Sequence, residues 1–185
     1  MIQTAIRDYA HEMTQVRLPR WDELPGIELY SDQMIHYLRS VLKFLDDPSE
    51  ERAVITATMV NNYVKKKLIP KPTNKRYDRV SIAHIIVISI LKNVFSMEEI
   101  AHGITLQLEI KNLKSSYDAF VIEFERSMEA IFGQLDQNPA CPAVAIDELD
   151  PRTATLSYAS LAVASKLLIK KLLQEEGFYD RKESQ

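Results

Sequence analysis

Residues 82–91 read IAHIIVISIL, a segment that is apolar on almost every side. Such a segment has no face to offer water, so the rest of the chain must enclose it. It is half as long as the roughly 20 residues that a bilayer requires. It also carries His84 and Ser89 inside it, with Arg79 and Lys92 on its flanks, and no membrane span is expected from it. Its many β-branched residues would suit a buried strand. Length decides otherwise, because the apolar pattern around it lasts about 14 residues, longer than a typical strand. The expectation is a central buried helix, capped by Asp78 or Ser81 and closed by Asn93 in a left-handed conformation.

The flanking sequence supplies covers for that helix. Met34, Ile35, Leu38, Val41, Leu42 and Leu45 recur at helical spacing and form one apolar stripe. Ser31 is the expected cap, Tyr30 and Ile35 the expected staple, and Asp46, Asp47 and Pro48 the expected end. After a linker, a short helix starts at Thr56, with Ile55 and Val60 as staple. Met59, Val60, Tyr63 and Val64 face inward on it. Thr58, Asn61, Asn62, Lys65 and Lys66 are left to solvent. Pro70 and Pro72 stop it, and the loop KPTNKRY can support a small β-ribbon. Ser96 and Glu99 form an S-x-x-E capping box with Phe95 and Ile100 as its staple, opening a two-turn helix that ends near Gly103. Tyr117, Phe120, Val121, Phe124, Met128 and Ile131 form a further amphipathic helix, capped by Ser115 or Ser116 and stopped at Gly133. Residues 134–152 read as a linker. Residues 153–176 lack Pro and Gly and predict a last helix of about 36 Å, ended by Gly177. Residues 1–30 predict a possible short helix and then an irregular strap anchored by Trp21.

Composition narrows the functional classes. The 185 residues are 46% hydrophobic and 26% charged, values that exclude a disordered or fibrous chain. Four glycines are too few for an all-β fold of tight turns, or for a phosphate-cradling loop. The single Cys141 predicts neither a disulfide nor a cysteine-rich metal site, and with the charged start MIQTAIRDYAHEM it points to the cytoplasm. His11, His36, His84 and His102 are scattered, and His84 reads better as a packed histidine than as a metal ligand with His102. Acid pairs such as Glu98 and Glu99 sit at helix ends and read as caps. No enzyme, cofactor or metal is expected.

Charge distribution carries the functional signal. Lys65, Lys66, Lys67, Lys71, Lys75, Arg76 and Arg79 face only Asp78 within residues 61–80, a local charge of +6 in a chain of net charge −3, so the other 165 residues carry −9. Asparagines at the start of such an island can read base edges, with adenine the favoured partner, while the cations neutralise phosphates. The lysine triplet alone could equally be a solvated helix end, where cations favour the dipole. Tyr63 and Tyr77 read as core packing.

The order of a capped helix, a polar-basic helix, a cationic loop and a buried helix is that of a winged helix-turn-helix. Residues 59–104 resemble the DNA-binding half of the MerR family of bacterial regulators, which read T-x-R-Y-Y-x-x-x-G-L-x-x-P, an R-Y wing element and G-F-S-L-x-E-I. Tyr63, Leu68, Ile69 and Pro70 fall on the helix and wing start. Arg76 and Tyr77 fall on the R-Y element, and Phe95, Ser96, Met97, Glu99 and Ile100 on the closing motif. Asn61, Asn62 and Lys67 stand where that family usually has Arg, Tyr and Gly, and the wing is shorter. The resemblance implies DNA contacts from Asn61, Asn62, Lys65, Arg76 and Tyr77. A second resemblance covers most of the chain. L-P-x-W-x-x-L-P-x-x-x-L-Y-x-x-Q over residues 18–33, M-x-N-N-Y-V-K over 59–65, K-x-Y over 75–77 and I-L-K over 90–92 are similar to the uncharacterised bacterial family "domain of unknown function eighteen-thirty-six".

The combined expectation is an all-α protein with a small β-wing. It has a strap at 1–30, a MerR-like winged helix-turn-helix at 31–105, and a C-terminal helical region at 106–185 suited to dimerisation. The expected function is transcriptional regulation by binding double-stranded DNA as a homodimer, with the reading helix around 57–67 and the wing around 70–77. The expected contact set is Thr58, Asn61, Asn62, Lys65, Lys66, Lys71, Lys75, Arg76, Tyr77 and Arg79. The competing expectation is a protein-interaction module on the same scaffold, without DNA binding.

Overall fold

A computed structural model describes residues 4–46, 53–133, 135 and 154–177. The described residues form seven α-helices and one two-stranded sheet, so the fold is mostly helical. The chain divides into two compact units. One is Leu18–Val121; the other joins Met1–Arg17 to Ile122–Gln185.

In the unit Leu18–Val121 the core is the apolar run. Helix α4 (Arg79–Leu91) buries Ile82, Ala83, Ile85, Ile86, Ile88 and Ile90, with Ser81 and Ser89 beside them. Its entry is fixed by Asp78, whose Oδ1 accepts from the Ser81 amide at 2.8 Å and from the Ser81 hydroxyl at 2.7 Å. Its exit differs from the expectation. Asn93 is not left-handed. Its side-chain amide donates to the carbonyls of Ser89 at 3.0 Å and Ile90 at 2.8 Å, satisfying the open end from the side chain instead of the backbone. α4 packs against helix α2 (Ser31–Val41) and helix α5 (Met97–Ile110).

α2 buries Met34 and Leu38, and Leu42 just beyond it, as the stripe requires. Two ends of the expectation shift. Ser31 is the first helical residue and not the cap; the Tyr30 amide donates to Gln33 Oε1 at 3.0 Å. The helix stops at Val41 and tightens into a 3₁₀ turn, Lys43–Leu45. Asp47, Pro48 and most of the expected linker lie outside the described residues.

α5 starts on the expected capping box. Ser96 Oγ accepts from the Glu99 amide at 3.3 Å, and Glu99 Oε2 accepts from the Ser96 amide at 2.8 Å. These bonds hold the exposed Glu99 carboxyl below its ordinary pKa. The helix does not end at Gly103. It runs through to Ile110, because a mid-helix glycine weakens a helix by about 1 kcal/mol without breaking it. The strap is anchored by Leu18 and Leu24, which are buried. Trp21 is only half-buried, edge-on to Tyr117 with its amide donating to Asp118 Oδ1 at 2.7 Å.

The other unit is built on helix α1 (Thr4–Thr14), longer than the short helix expected, and on helix α7 (Ala154–Gln174). Between them in sequence runs helix α6 (Leu113–Met128), whose residues from Ile122 onward belong here, followed by a π-helical turn, Glu129–Gly133. The α6 stripe is as expected: Tyr117, Phe120, Val121, Phe124, Met128 and Ile131 are buried. Its cap is Asn112, whose Oδ1 accepts from the Ser115 amide at 2.9 Å, and not Ser115 or Ser116. Tyr9 meets Phe132 edge-on at 5.7 Å. Ser157 of α7 donates to the buried Glu123 carboxylate at 2.6 Å. Gly177, the expected terminator, has a positive φ of 134°, while the helix itself ends at Gln174, two residues short of the expectation. Glu176 takes the left-handed conformation, with φ of 57°, and the Gly177 amide closes back on Leu172. Cys141, the linker at 134–152 except Leu135, and Thr153 lie outside the described residues.

Candidate nucleic-acid interface

Helix α3 (Ala57–Lys65) forms where Thr56 caps it, its Oγ1 accepting from the Met59 amide at 3.2 Å. Ile55 and Val60, the expected staple, are fully buried. Val60 and Tyr63 turn the helix onto the core, so the opposite face points to water. That face carries Thr58, Asn61, Asn62 and Lys65, all exposed and spaced at i, i+3, i+4 and i+7. The segment leading into it is held from behind. Lys92 Nζ donates to the Val54 carbonyl at 2.7 Å, and burial lowers the pKa of that ammonium.

α3 ends in a Schellman turn. The Leu68 amide donates to the Tyr63 carbonyl at 2.9 Å and the Lys67 amide to Val64 at 3.0 Å. The left-handed position in that turn is Lys67, with φ of 57°. It is the position at which the MerR resemblance has Gly. Ile69 is buried and fixes the start of the following loop.

The loop closes as a tight turn. Asn74 and Lys75 both have positive φ, 50° and 63°, and the Arg76 amide donates to Thr73 at 2.9 Å. Two left-handed central residues define a type I′ turn. It projects Lys71, Asn74, Lys75 and Arg76 into solvent. Strand β2 (Arg76–Tyr77) then pairs antiparallel with strand β1 (Leu29–Tyr30), in the register Leu29 to Tyr77 and Tyr30 to Arg76. Within the expected wing the pairing is limited to an isolated antiparallel bridge between Thr73 and Arg76, and the strand partner comes from the strap. Two-residue strands leave no periodicity to read, so the sequence carries no signal for this pairing beyond the β-prone Leu29 and Tyr30.

The expected contact residues separate into groups. Thr58, Asn61, Asn62, Lys65, Lys66, Lys71, Lys75 and Arg76 are exposed. Lys66 lies 3.6 Å from Glu98, an exposed pair of small energetic weight. Tyr77 is only 5% exposed, so its ring is core, and burial raises its pKa. The contact that the resemblance implies for Tyr77 is thereby corrected. Arg79 is turned toward the strap, 4.0 Å from Asp22, 5.8 Å from the Trp21 ring and 3.5 Å from the Pro25 carbonyl. Tyr30, which the sequence reading placed only in a helix staple, stands exposed beside Arg76. Among the described residues no group of three or more His, Cys, Asp or Glu side chains could hold a metal ion. His84 Nδ1 is 2.8 Å from the Val80 carbonyl of its own helix. No described helix is long and apolar enough to cross a membrane.

Compared with known proteins, residues 19–120 match a family model described as "Domain of unknown function (DUF1836)". The matched segment coincides with the compact unit Leu18–Val121 to within one residue at either end. No curated protein and no solved structure matches the chain.

Proposed function

The chain belongs to the DUF1836 family, and we propose that the family unit is a duplex-DNA-binding domain of a MerR-like transcriptional regulator acting in the bacterial cytoplasm. The observation that carries this reading is the concentration of charge. Seven cations and one acid fall within residues 61–80 of an otherwise acidic chain, and Asn61, Asn62 and Lys65 of that segment share one exposed helix face with Thr58 just before it. Amide side chains there suit base edges in a major groove, and the lysines beyond them suit phosphates. The turn around Asn74 and Lys75 serves as the wing. A single short reading helix covers one half-site, so the reading includes a homodimer.

Titration of a labelled mixed-sequence duplex against salt tests this. Four to six phosphate contacts give a log-log slope of affinity against salt of about −4 to −5. Lys65→Ala weakens binding to all sequences, whereas Asn61→Ala relaxes preference for a site selected from a random pool. Absence of binding to any duplex at low salt defeats the reading. One observation favours a protein partner instead: Leu106 and Ile110, one turn apart on the same face of α5, are both exposed, an apolar pair suited to a protein contact. In that case binding to a protein persists in high salt while DNA binding is absent.

A further inference from the structure

The side-chain pair on the β1–β2 ribbon extends the proposed interface to the strap. Register places Tyr30 directly opposite Arg76, so the two side chains share one face of the ribbon. Arg76 Cζ lies 4.8 Å from the centroid of the Tyr30 ring, and its Nη2 donates to the Tyr30 hydroxyl at 2.8 Å. Tyr30 is 46% exposed and Arg76 is exposed as well. The ring and hydroxyl thus fix the guanidinium at the surface, beside the cationic turn that carries Lys75.

We infer that strand β1 is the second half of the DNA-contacting ribbon, and that Tyr30 is a positioning residue holding Arg76 for a phosphate of the duplex. This rests on the DNA-binding reading above. A guanidinium has five N–H donors in a planar fork, and the tyrosine hydroxyl uses one edge of it. The remaining donors match two phosphate oxygens. An arginine already stacked on an aromatic face loses less side-chain freedom when it binds, so the same contact is stronger than one from a free arginine. Among the described residues, the exposed Lys65 and Lys75 show no such aromatic contact. The Tyr30 hydroxyl is the main influence favouring the Arg76 charge, and the Glu28 carboxylate, two residues before Tyr30, favours it further.

The test uses the full chain and a fluorescein-labelled mixed-sequence duplex at low salt. Arg76→Ala is expected to weaken binding on the order of tenfold and to reduce the salt slope by about 1. Tyr30→Phe keeps the stacking ring and removes only the hydroxyl. It is expected to weaken binding severalfold with the salt slope retained and the thermal midpoint unchanged. Tyr30→Ala has no further effect once Arg76→Ala is present, as expected for a residue acting through its partner. If Tyr30→Phe and Tyr30→Ala both bind as wild type while Arg76→Ala is weakened, the inference falls and the DNA-binding reading stands. If the two losses simply add, Tyr30 does not act through Arg76 and the inference falls in the same way. If the unaltered chain binds no duplex, both fall together.

Discussion

At the scale of single residues, the ends of α3 and the strap set the local energetics. Lys67 holds a left-handed conformation that costs a residue with a Cβ roughly 1–2 kcal/mol. Glycine removes that cost but adds freedom to the unfolded chain. Lys67→Gly is therefore expected to stabilise the protein by up to about 1 kcal/mol, seen as a higher urea midpoint at constant m-value. An unchanged or lower midpoint would mean that the lysine is not strained there. Tyr117 makes the second case. It is 2% exposed and donates to the Pro19 carbonyl at 2.9 Å. Burial, reinforced by Tyr37 and Asp118, raises its pKa well above the ordinary value of about 10. The folded state then holds the phenolic proton more tightly than the unfolded state does. Its stabilisation is complete below pH 10 and is lost as pH rises above it. Burial raises Tyr63 and Tyr77 in the same direction. Thermal melts should show a falling midpoint above about pH 10, with a shallower fall in Tyr117→Phe. An equal slope in that variant would assign the alkaline loss elsewhere.

At the scale of elements, α5 shows which local signals dominate. Its start is encoded by Ser96 and Glu99, and its continuation past Gly103 by helix-forming residues that outweigh one glycine. A Cβ at Gly103 would meet no atom within 4 Å. Gly103→Ala should raise stability by about 1 kcal/mol; destabilisation would imply a helix end there. The Ser96–Glu99 capping box, the start of α3 at Thr56, the choice of Asp78 or Ser81 at the start of α4 and the apolar stripes are legible in the sequence because each is a pattern within a few residues. Asn112 escapes a local reading because serines stand beside it, and Asn93 reads as a left-handed backbone end although it closes the helix through its side chain. The candidate site divides along the same line. The exposed face of α3 follows from the spacing of Val60 and Tyr63. The β1–β2 pair joins residues 46 apart, and a contact that distant leaves no trace in local spacing. This is also why Arg79, drawn to Asp22 and Trp21 of the strap, read as a free cation.

At the scale of the whole molecule, the coincidence of the family match with one compact unit separates the family's module from the rest of the chain. The remaining unit contains the helix on which the proposed homodimer can be tested. α7 buries Leu156, Ser160, Val163, Ala164 and Leu167 along one face. Tyr158, Ile169 and Leu173 are exposed around its other side, Leu173 by 75%. Together with Ala162, Ser165 and Leu172, the positions 158, 162, 165, 169 and 172 alternate spacings of four and three, the repeat that lets one helix seat against another. Small residues at its centre and large ones toward its ends suit a second copy running antiparallel, where the centre of each stripe meets the centre of the other. Ile169→Glu with Leu173→Glu places one charge on that stripe and a second beside it, without touching the buried face. Light scattering at micromolar concentration should find the unaltered chain dimeric and the double variant monomeric, with the thermal midpoint of the monomer little changed. Under the proposed DNA-binding function, duplex binding by the variant should weaken as well, since each monomer would then engage one half-site. An unaltered chain that is monomeric at that concentration would refute the dimer, and would leave the α3 face to bind a single half-site through the phosphate contacts of the basic segment alone.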